Sequence, residues 1–487
     1  MERADAVAIY RQGEQACVEV LLSLASAVEA LQGQVAVLES RVAELEARLR
    51  ENSRNSSRPP SSDGLGKPPP KPRSRRRRSG RKPGGQPGSE GHHLAQVAEP
   101  DEVVRHEPEA CGGCGGGLED AELLRVERRQ VFDLPPETRL VVCEHQAAHR
   151  RCDCGTVTAG VFPDLVRAPA QYGPRLRAYV VYLAVYQHVP YDRIRRLVAD
   201  RYGALVSTGT LQAIVRAGAA GLDLFLDEVR RQLAASPVVH VDETGARAQG
   251  KLHWVHEATT ATLALYRLHA KRGKEGIDAL GVLPGLTGVA VHDGFTPYRR
   301  YTGCAHALCN GHHLRELTAV EEQGNQPWAS EMARLLVKLN KTVETAKQAG
   351  ETALDQATLE QYRRRYRRII NAGCALNPEP KRTGKRGRPK QGKTRSLLLR
   401  LDTYQDDVLR FAHDFNVPFD NNQGERDLRM IKLQQKISGC WRSSEGAASF
   451  LALRSYIQTA RKQHQDILAV LQAAAEGHPW LPAAGET

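Results

Sequence analysis

Residues 236–245 read SPVVHVDETG and residues 287–295 read TGVAVHDGF. Each is a short run of β-branched apolar residues that ends on an acid, Asp242 in the first and Asp293 in the second. Such a run reads as a buried strand with the acid near its carboxyl end. Between the two, residues 251–260 (KLHWVHEATT) and 261–270 (ATLALYRLHA) read as two more strands of a meander. Residues 271–284 (KRGKEGIDALGVLP) read as a helix, and 304–313 (CAHALCNGHH) as a further strand.

Strand, strand, strand, helix, strand is the order of the ribonuclease-H-like fold, in which the first and fourth strands lie parallel and adjacent. Asp242 and Asp293 would then meet at neighbouring strand ends, where α/β sheets build their sites. An acid after a strand also commonly caps a turn, so the spacing carries weight only together with the strand order. Two close carboxylates repel, and a divalent metal is what allows both to be ionised. Magnesium binds carboxylates together with water and phosphate, and two metals can clamp an in-line displacement at phosphorus.

The rest of the chain fits a polyanionic partner. Of 487 residues, 69 are Lys or Arg and 56 are Asp or Glu, so the net charge is +13 and the pI about 9.3. This balance suits nucleic acid, or an anionic membrane, or solubility alone. No apolar run is read as approaching the ~18–20 residues of a spanning helix. The first residues, MERADAVAIYRQGEQ, carry early acids and no apolar signal core. Ten cysteines, mostly clustered, then point to reduced thiols or metal and to the cytoplasm.

Residues 14–50 are read as a coiled coil. Leu24, Leu31, Leu38 and Leu45 recur every seven residues, and Val28, Val35, Val42 and Leu49 form the second seam. β-branched residues at one seam with Leu at the other favour two parallel strands, which predicts a homodimer or higher oligomer. Residues 51–100 are a Pro/Arg/Ser linker that cannot bury enough apolar surface to fold alone. Residues 101–165 carry CGGC at Cys111 and Cys114 and CDC at Cys152 and Cys154, separated by the strand-like segments RRQVFDL and TRLVVCEH. This reads as a zinc-ribbon-like module with those four thiolates on a structural Zn²⁺, and His145 or Cys143 as substitutes for one ligand. Residues 168–232 read as a helical DNA-binding module. A helix with Pro in its first turn is followed by one ending on Gly203 and by one capped at Ser207, the order of a helix-turn-helix. A plain helical packing unit would give the same pattern.

Residues 236–325 form the first part of the core, and 326–415 a helical insertion with a basic loop. Lys385, Arg386, Arg388 and Lys390 in that loop are candidate phosphate contacts, and KRGRPK resembles an AT-hook core. Residues 416–442 contain DNNQGERDLRMIKLQQKISG, a basic helix with two acids in it, Glu425 and Asp427. Residues 443–487 are C-terminal helices.

Motifs along most of the chain resemble transposases of the insertion sequence 66 family, a DDE-type group. They are ENSRNSSRPPSSD, the cysteine pairs, YGPRLRAYV, LVSTGTL, HVDET, VHDGF, HALCNGHHLREL and NNQGERDLRMIKLQQKISGCWRS. The resemblance implies a multidomain α/β chain. A ribonuclease-H-like catalytic core split by a helical insertion follows a coiled coil, a zinc-finger-like module and a helical DNA-binding module. It implies metal-dependent cleavage and joining of double-stranded DNA at element ends, with Asp242, Asp293 and Glu425 as the acids on two Mg²⁺ ions, or Mn²⁺. Arg429, Lys432 and Lys436 then follow Glu425 along one helix face as DNA contacts, while Asp427 points elsewhere as a surface or structural partner. Accessory element-encoded proteins are further implied partners, and a nucleoid-associated cytoplasmic location follows. Cys309 and His312 resemble a C-x-x-H signature of several DDE groups. The chain departs from the family pattern at TARKQHQDI, where an Asn-Gly turn is usual. The rival readings are a nuclease of the same fold without joining activity, and a non-catalytic DNA-binding regulator.

Overall fold

The computed structural model describes residues 3–50, 55, 96–133, 139–322, 324, 326–379 and 392–483. The basic-loop candidates Lys385, Arg386, Arg388 and Lys390, and nearly all of the linker, lie outside the described residues.

Helices Arg3–Arg11 (α1) and Glu14–Arg50 (α2) open the chain. The 37 residues of α2 extend about 55 Å. Its apolar seam, from Leu24 to Leu49, is exposed along its whole length. The stretch Glu14–Glu39 is also long and apolar enough to cross a membrane by length and composition. This corrects the expectation that no segment approaches that length. Glu29 interrupts the apolar run, but the residues on either side of it keep the average apolar.

Among the described residues of 96–165 there is a single ladder, His149–Arg151 (β1) antiparallel to Val157–Ala159 (β2). The described parts of RRQVFDL and TRLVVCEH are not strands. Val131, Val141 and Val142 remain about nine-tenths exposed, so no surface rewards pairing them into a sheet.

Pro174–Val181 (α3), Tyr191–Tyr202 (α4), Thr208–Ala220 (α5) and Asp223–Ala235 (α6) follow. Gly203 ends α4 in the left-handed region at φ 64°, and the Ser207 hydroxyl accepts the Thr210 N–H at 3.0 Å to start α5.

The central sheet comprises Val238–Ala248 (β3), Lys251–Thr259 (β4), Ala264–His269 (β5), Val289–His292 (β6) and Ala305–Leu308 (β7), with Lys274–Leu280 (α7) between β5 and β6. Its order is β5-β4-β3-β6-β7: β3, β4 and β5 are antiparallel, and β6 and β7 run parallel to β3. β3 continues six residues past Asp242, so the acid is not at the end of its strand. The extension pairs with β4, across a two-residue turn where Gln249 and Gly250 both take positive φ, and its last residues also bridge to Trp441.

Asn310–Glu322 (α8), Pro327–Gln348 (α9), Gln356–Leu376 (α10), Lys393–Thr403 (α11) and Gln405–His413 (α12) come next. They build a second apolar cluster around Trp328, Leu336, Tyr366 and Phe411, which reaches the sheet at Val291, Ala307 and Leu308. Asn422–Ser438 (α13), Ser444–Lys462 (α14) and Ile467–Ala475 (α15) close the chain. α14 joins the first cluster, in which Phe225 meets Tyr456 edge to face at 4.8 Å. Within TARKQHQDI, His464 takes a left-handed φ of 57° between α14 and α15. The result is a mixed α/β fold with a five-stranded sheet among many helices.

Candidate active site

The parallel ladder between β3 and β6 ends with His240 opposite Val291. Asp242 and Asp293 each lie two residues further on, so the register sets the two acids side by side. Asp293 is held in a tight turn. One of its carboxylate oxygens accepts the Phe295 N–H at 2.8 Å, and Gly294 between them takes φ 94°, a conformation that a side chain would strain. Asp242 accepts the N–H of Glu243 at 2.8 Å. Strand alternation sends Glu243 to the opposite face, where the Tyr298 hydroxyl and Arg272, at 2.8 Å, hold it.

Glu425 occupies the first turn of α13. Arg315 from α8 donates to both of its oxygens, at 2.9 and 3.1 Å, and His312 Nδ1 lies 3.7 Å away. Burial, then the charges of Glu243, Asp293 and Glu425, push the Asp242 carboxyl well above the usual carboxylate range. The three acids therefore share one electrostatic environment. Their oxygens do not all lie within 4.8 Å of one another. Among the described residues, the group that does is Cys309, His312 and Glu425.

These two sets suit different ions. Asp242, Asp293 and Glu425 offer oxygen only, and the mutual repulsion felt at Asp242 is what a hard divalent cation relieves, so the donors fit Mg²⁺. The second set, Cys309, His312 and Glu425, could hold a metal through sulfur, nitrogen and oxygen. Burial pushes the Cys309 thiol up to about 12, and its sulfur accepts the Asn421 N–H at 3.1 Å.

The four zinc candidates form two separate half-sites. Cys111 donates its N–H to Gly116 and accepts from Gly115, and hydrogen bonding within the turn lowers its thiol. Thr156 and Cys152 lower the Cys154 thiol to about 7. Cys111 in one knuckle and Cys154 in the other thus lean toward the thiolate that a zinc ligand requires. Yet no three of the four sulfurs are gathered within 4.8 Å, so the expected tetrahedral cluster is not assembled. Cys143 and His145 lie 3.7 Å from each other.

Among the basic residues of α13, Arg429 and Lys436 are exposed. Lys432 departs from the expectation: its ammonium donates to the Gly245 carbonyl of β3 at 2.7 Å. A residue seven after Glu425 shares its helix face, and that face looks inward. Asp427 behaves as a structural partner. It accepts from Thr259 at 2.9 Å and pairs with Lys462 at 2.7 Å. Beyond Lys436, a cavity of about 780 Å³ opens between α4, α5 and the start of α14, with Arg216, Trp441 and Arg442 in its wall.

Two functional candidates escaped the sequence reading, Arg315 and Asn421. Both lie in motifs quoted above, but their contacts are made across 110 and 181 residues, which no local pattern reveals.

No curated protein matches the chain. Residues 6–95 match a family of unknown function, DUF6444. Residues 169–449, more than half of the chain and the whole of the sheet with its acids, match the Transposase IS66 family. The chain therefore belongs to the IS66 transposase family.

Proposed function

We propose that the chain is a DNA transposase that cuts the strands at the ends of its element and joins them to a target. In this reading Asp242, Asp293 and Glu425 hold two Mg²⁺ ions, with Mn²⁺ as a substitute. The observation that carries it is the register of β3 and β6, which puts Asp242 and Asp293 level at the end of their shared ladder while Asp242 senses Glu425. When bound, the metals supply Lewis-acid activation of the nucleophile and charge stabilisation at the phosphate. The chain's own groups do the positioning. Asp242 would bind from the strand β3, Asp293 from the tight turn after β6, and Glu425 from a helix turn once Arg315 releases it. Arg429 and Lys436 neutralise backbone phosphates, and Arg216 and Arg442 continue that track into the cavity beside α5.

The same reading assigns α4 and α5 to the DNA, zinc to the cysteine knuckles, and the exposed seam of α2 to a coiled coil that pairs two copies, and hence two ends. It places the protein in the cytoplasm on the nucleoid. The test is Mg²⁺-dependent cleavage and joining of DNA carrying the element's own ends. Asp242→Asn and Glu425→Gln should abolish both steps and spare end binding. Joining by Asp242→Asn would overturn the assignment. Cutting without joining by the unaltered chain would point to a nuclease, and binding without either to a regulator.

A further inference from the structure

Asn421 immediately precedes α13 and is 1% exposed. Asparagine there ordinarily turns its side-chain oxygen onto the N–H groups of its own helix. Asn421 makes no such bond. Its Nδ2 donates instead to the Val241 carbonyl at 3.0 Å, and its Oδ1 lies 2.7 Å from His240 Nδ1. The chemistry fixes the amide's orientation, because only the nitrogen can donate to a carbonyl. His240 must then carry its proton on Nδ1.

The backbone of the same residue is engaged as well. Its N–H donates to Cys309 Sγ at 3.1 Å, and its carbonyl accepts the Glu425 N–H at 3.2 Å. One residue thus ties the strand segment just before Asp242, the junction of β7 and α8, and the turn that carries Glu425. At the other end of α13, the Trp441 N–H donates to the Arg247 carbonyl of β3 at 3.0 Å and fixes the far terminus. The room for this arrangement comes from Gly424. A Cβ there would sit 3.3 Å from Oδ1 and 3.4 Å from Nδ2 of Asn421, tight enough to displace the amide.

We propose that Asn421 is a positioning residue that sets the separation between the Asp242 and Glu425 carboxylates, and that Gly424 is glycine to leave its amide in place. This rests on the reading of those acids as metal ligands. Partners behind a metal site typically change affinity by about 10–100-fold when lost. Asn421→Leu removes both side-chain bonds and should weaken metal binding about tenfold or more. Because this change also strands buried polar groups, Gly424→Ala is the decisive variant. Alanine is the better helix former, so a purely structural role predicts an unchanged or higher melting temperature and unchanged metal affinity. The positioning role predicts Mn²⁺ affinity reduced about threefold or more, whichever way the balance of helix propensity and the displaced amide moves the melting temperature.

The measurement is Mn²⁺ binding to the full chain by electron paramagnetic resonance, paired with metal-free melting curves. Binding by the unaltered chain that is insensitive to Asp242→Asn would sink the metal reading itself. Binding that is sensitive to Asp242→Asn but unchanged in Gly424→Ala and in folded Asn421→Leu would overturn only the role of Asn421.

Discussion

The sheet with α13 and the cysteine-bearing segment 96–165 solve the same problem with different means. In the proposed reading each must hold several charged ligands in place. Around the sheet, packing does it: Val239, Val255 and Ala290 are fully buried, Arg315 of α8 pairs with Glu425, Lys462 of α14 pairs with Asp427, and Asn421 ties the start of α13 to the Val241 carbonyl beside Asp242. In the cysteine segment Leu124, Val131 and Val161 are 86–95% exposed, and its two strands are three residues each. A segment that buries so little apolar surface cannot offset the entropy of ordering its chain. In one region the ligands inherit their geometry from the fold; in the other, the ligands must themselves supply the order, through a metal or a partner.

The largest effect should fall where geometry is inherited. Asp242→Asn or Glu425→Gln should lower strand joining at least about a thousandfold, while end binding measured by mobility shift stays within about twofold. A parallel loss of end binding would mean that the two regions are not separable. Next in size is the buried pair of Asp427 and Lys462, whose side chains are 11% and 10% exposed. Lys462→Met leaves Asp427 buried against Glu257 without its cation. Removing one partner of such a pair costs about 3–5 kcal/mol, so the core should melt roughly 10 °C lower. Zinc content, read by atomic emission, should not change. The reverse pattern is expected for Cys152→Ser with Cys154→Ser: zinc falls to background and residues 96–165 become sensitive to limited proteolysis, while the core transition stays put. A shift of the core transition would show that the knuckles lean on the sheet.

The sequence was legible where local chemistry decides the outcome. The strand order, the Gly203 stop, the Ser207 cap and the turning of Asp427 away from Glu425 all follow from periodicity and turn residues. It was opaque where distant residues decide. Asp242 looked terminal because its apolar run stops there, but β4 lends partners for six more residues. Lys432 was grouped by face with Arg429 and Lys436, but those two are exposed while Lys432 is half-buried with its ammonium on the Gly245 carbonyl of β3. The zinc ribbon was inferred from cysteine spacing, which specifies each knuckle but not the distance between them.

The smallest effect has a sign that separates the regions most sharply. Burial and neighbouring acids raise the Asp242 carboxyl well above its unfolded value, so over the interval between those two values the folded chain holds the extra proton. Stability then falls as pH rises through that interval, and beyond it the ionised Asp242 remains a standing destabilisation. Asp242→Asn removes it. In metal-free buffer the variant should therefore melt a few degrees above the unaltered chain at pH 8.5, with little difference at pH 4. Adding Mg²⁺ should raise only the unaltered chain and narrow the gap. For a residue that merely packed, substitution would lower the melting temperature at both pH values and Mg²⁺ would be indifferent. Differential scanning fluorimetry at the two pH values, with and without the metal, distinguishes these outcomes. A variant less stable than the parent at pH 8.5 without metal would show that the repulsion felt at Asp242 is already balanced by the protein. The core would then be holding its ligands as a finished structure, with no strained site waiting for a cation.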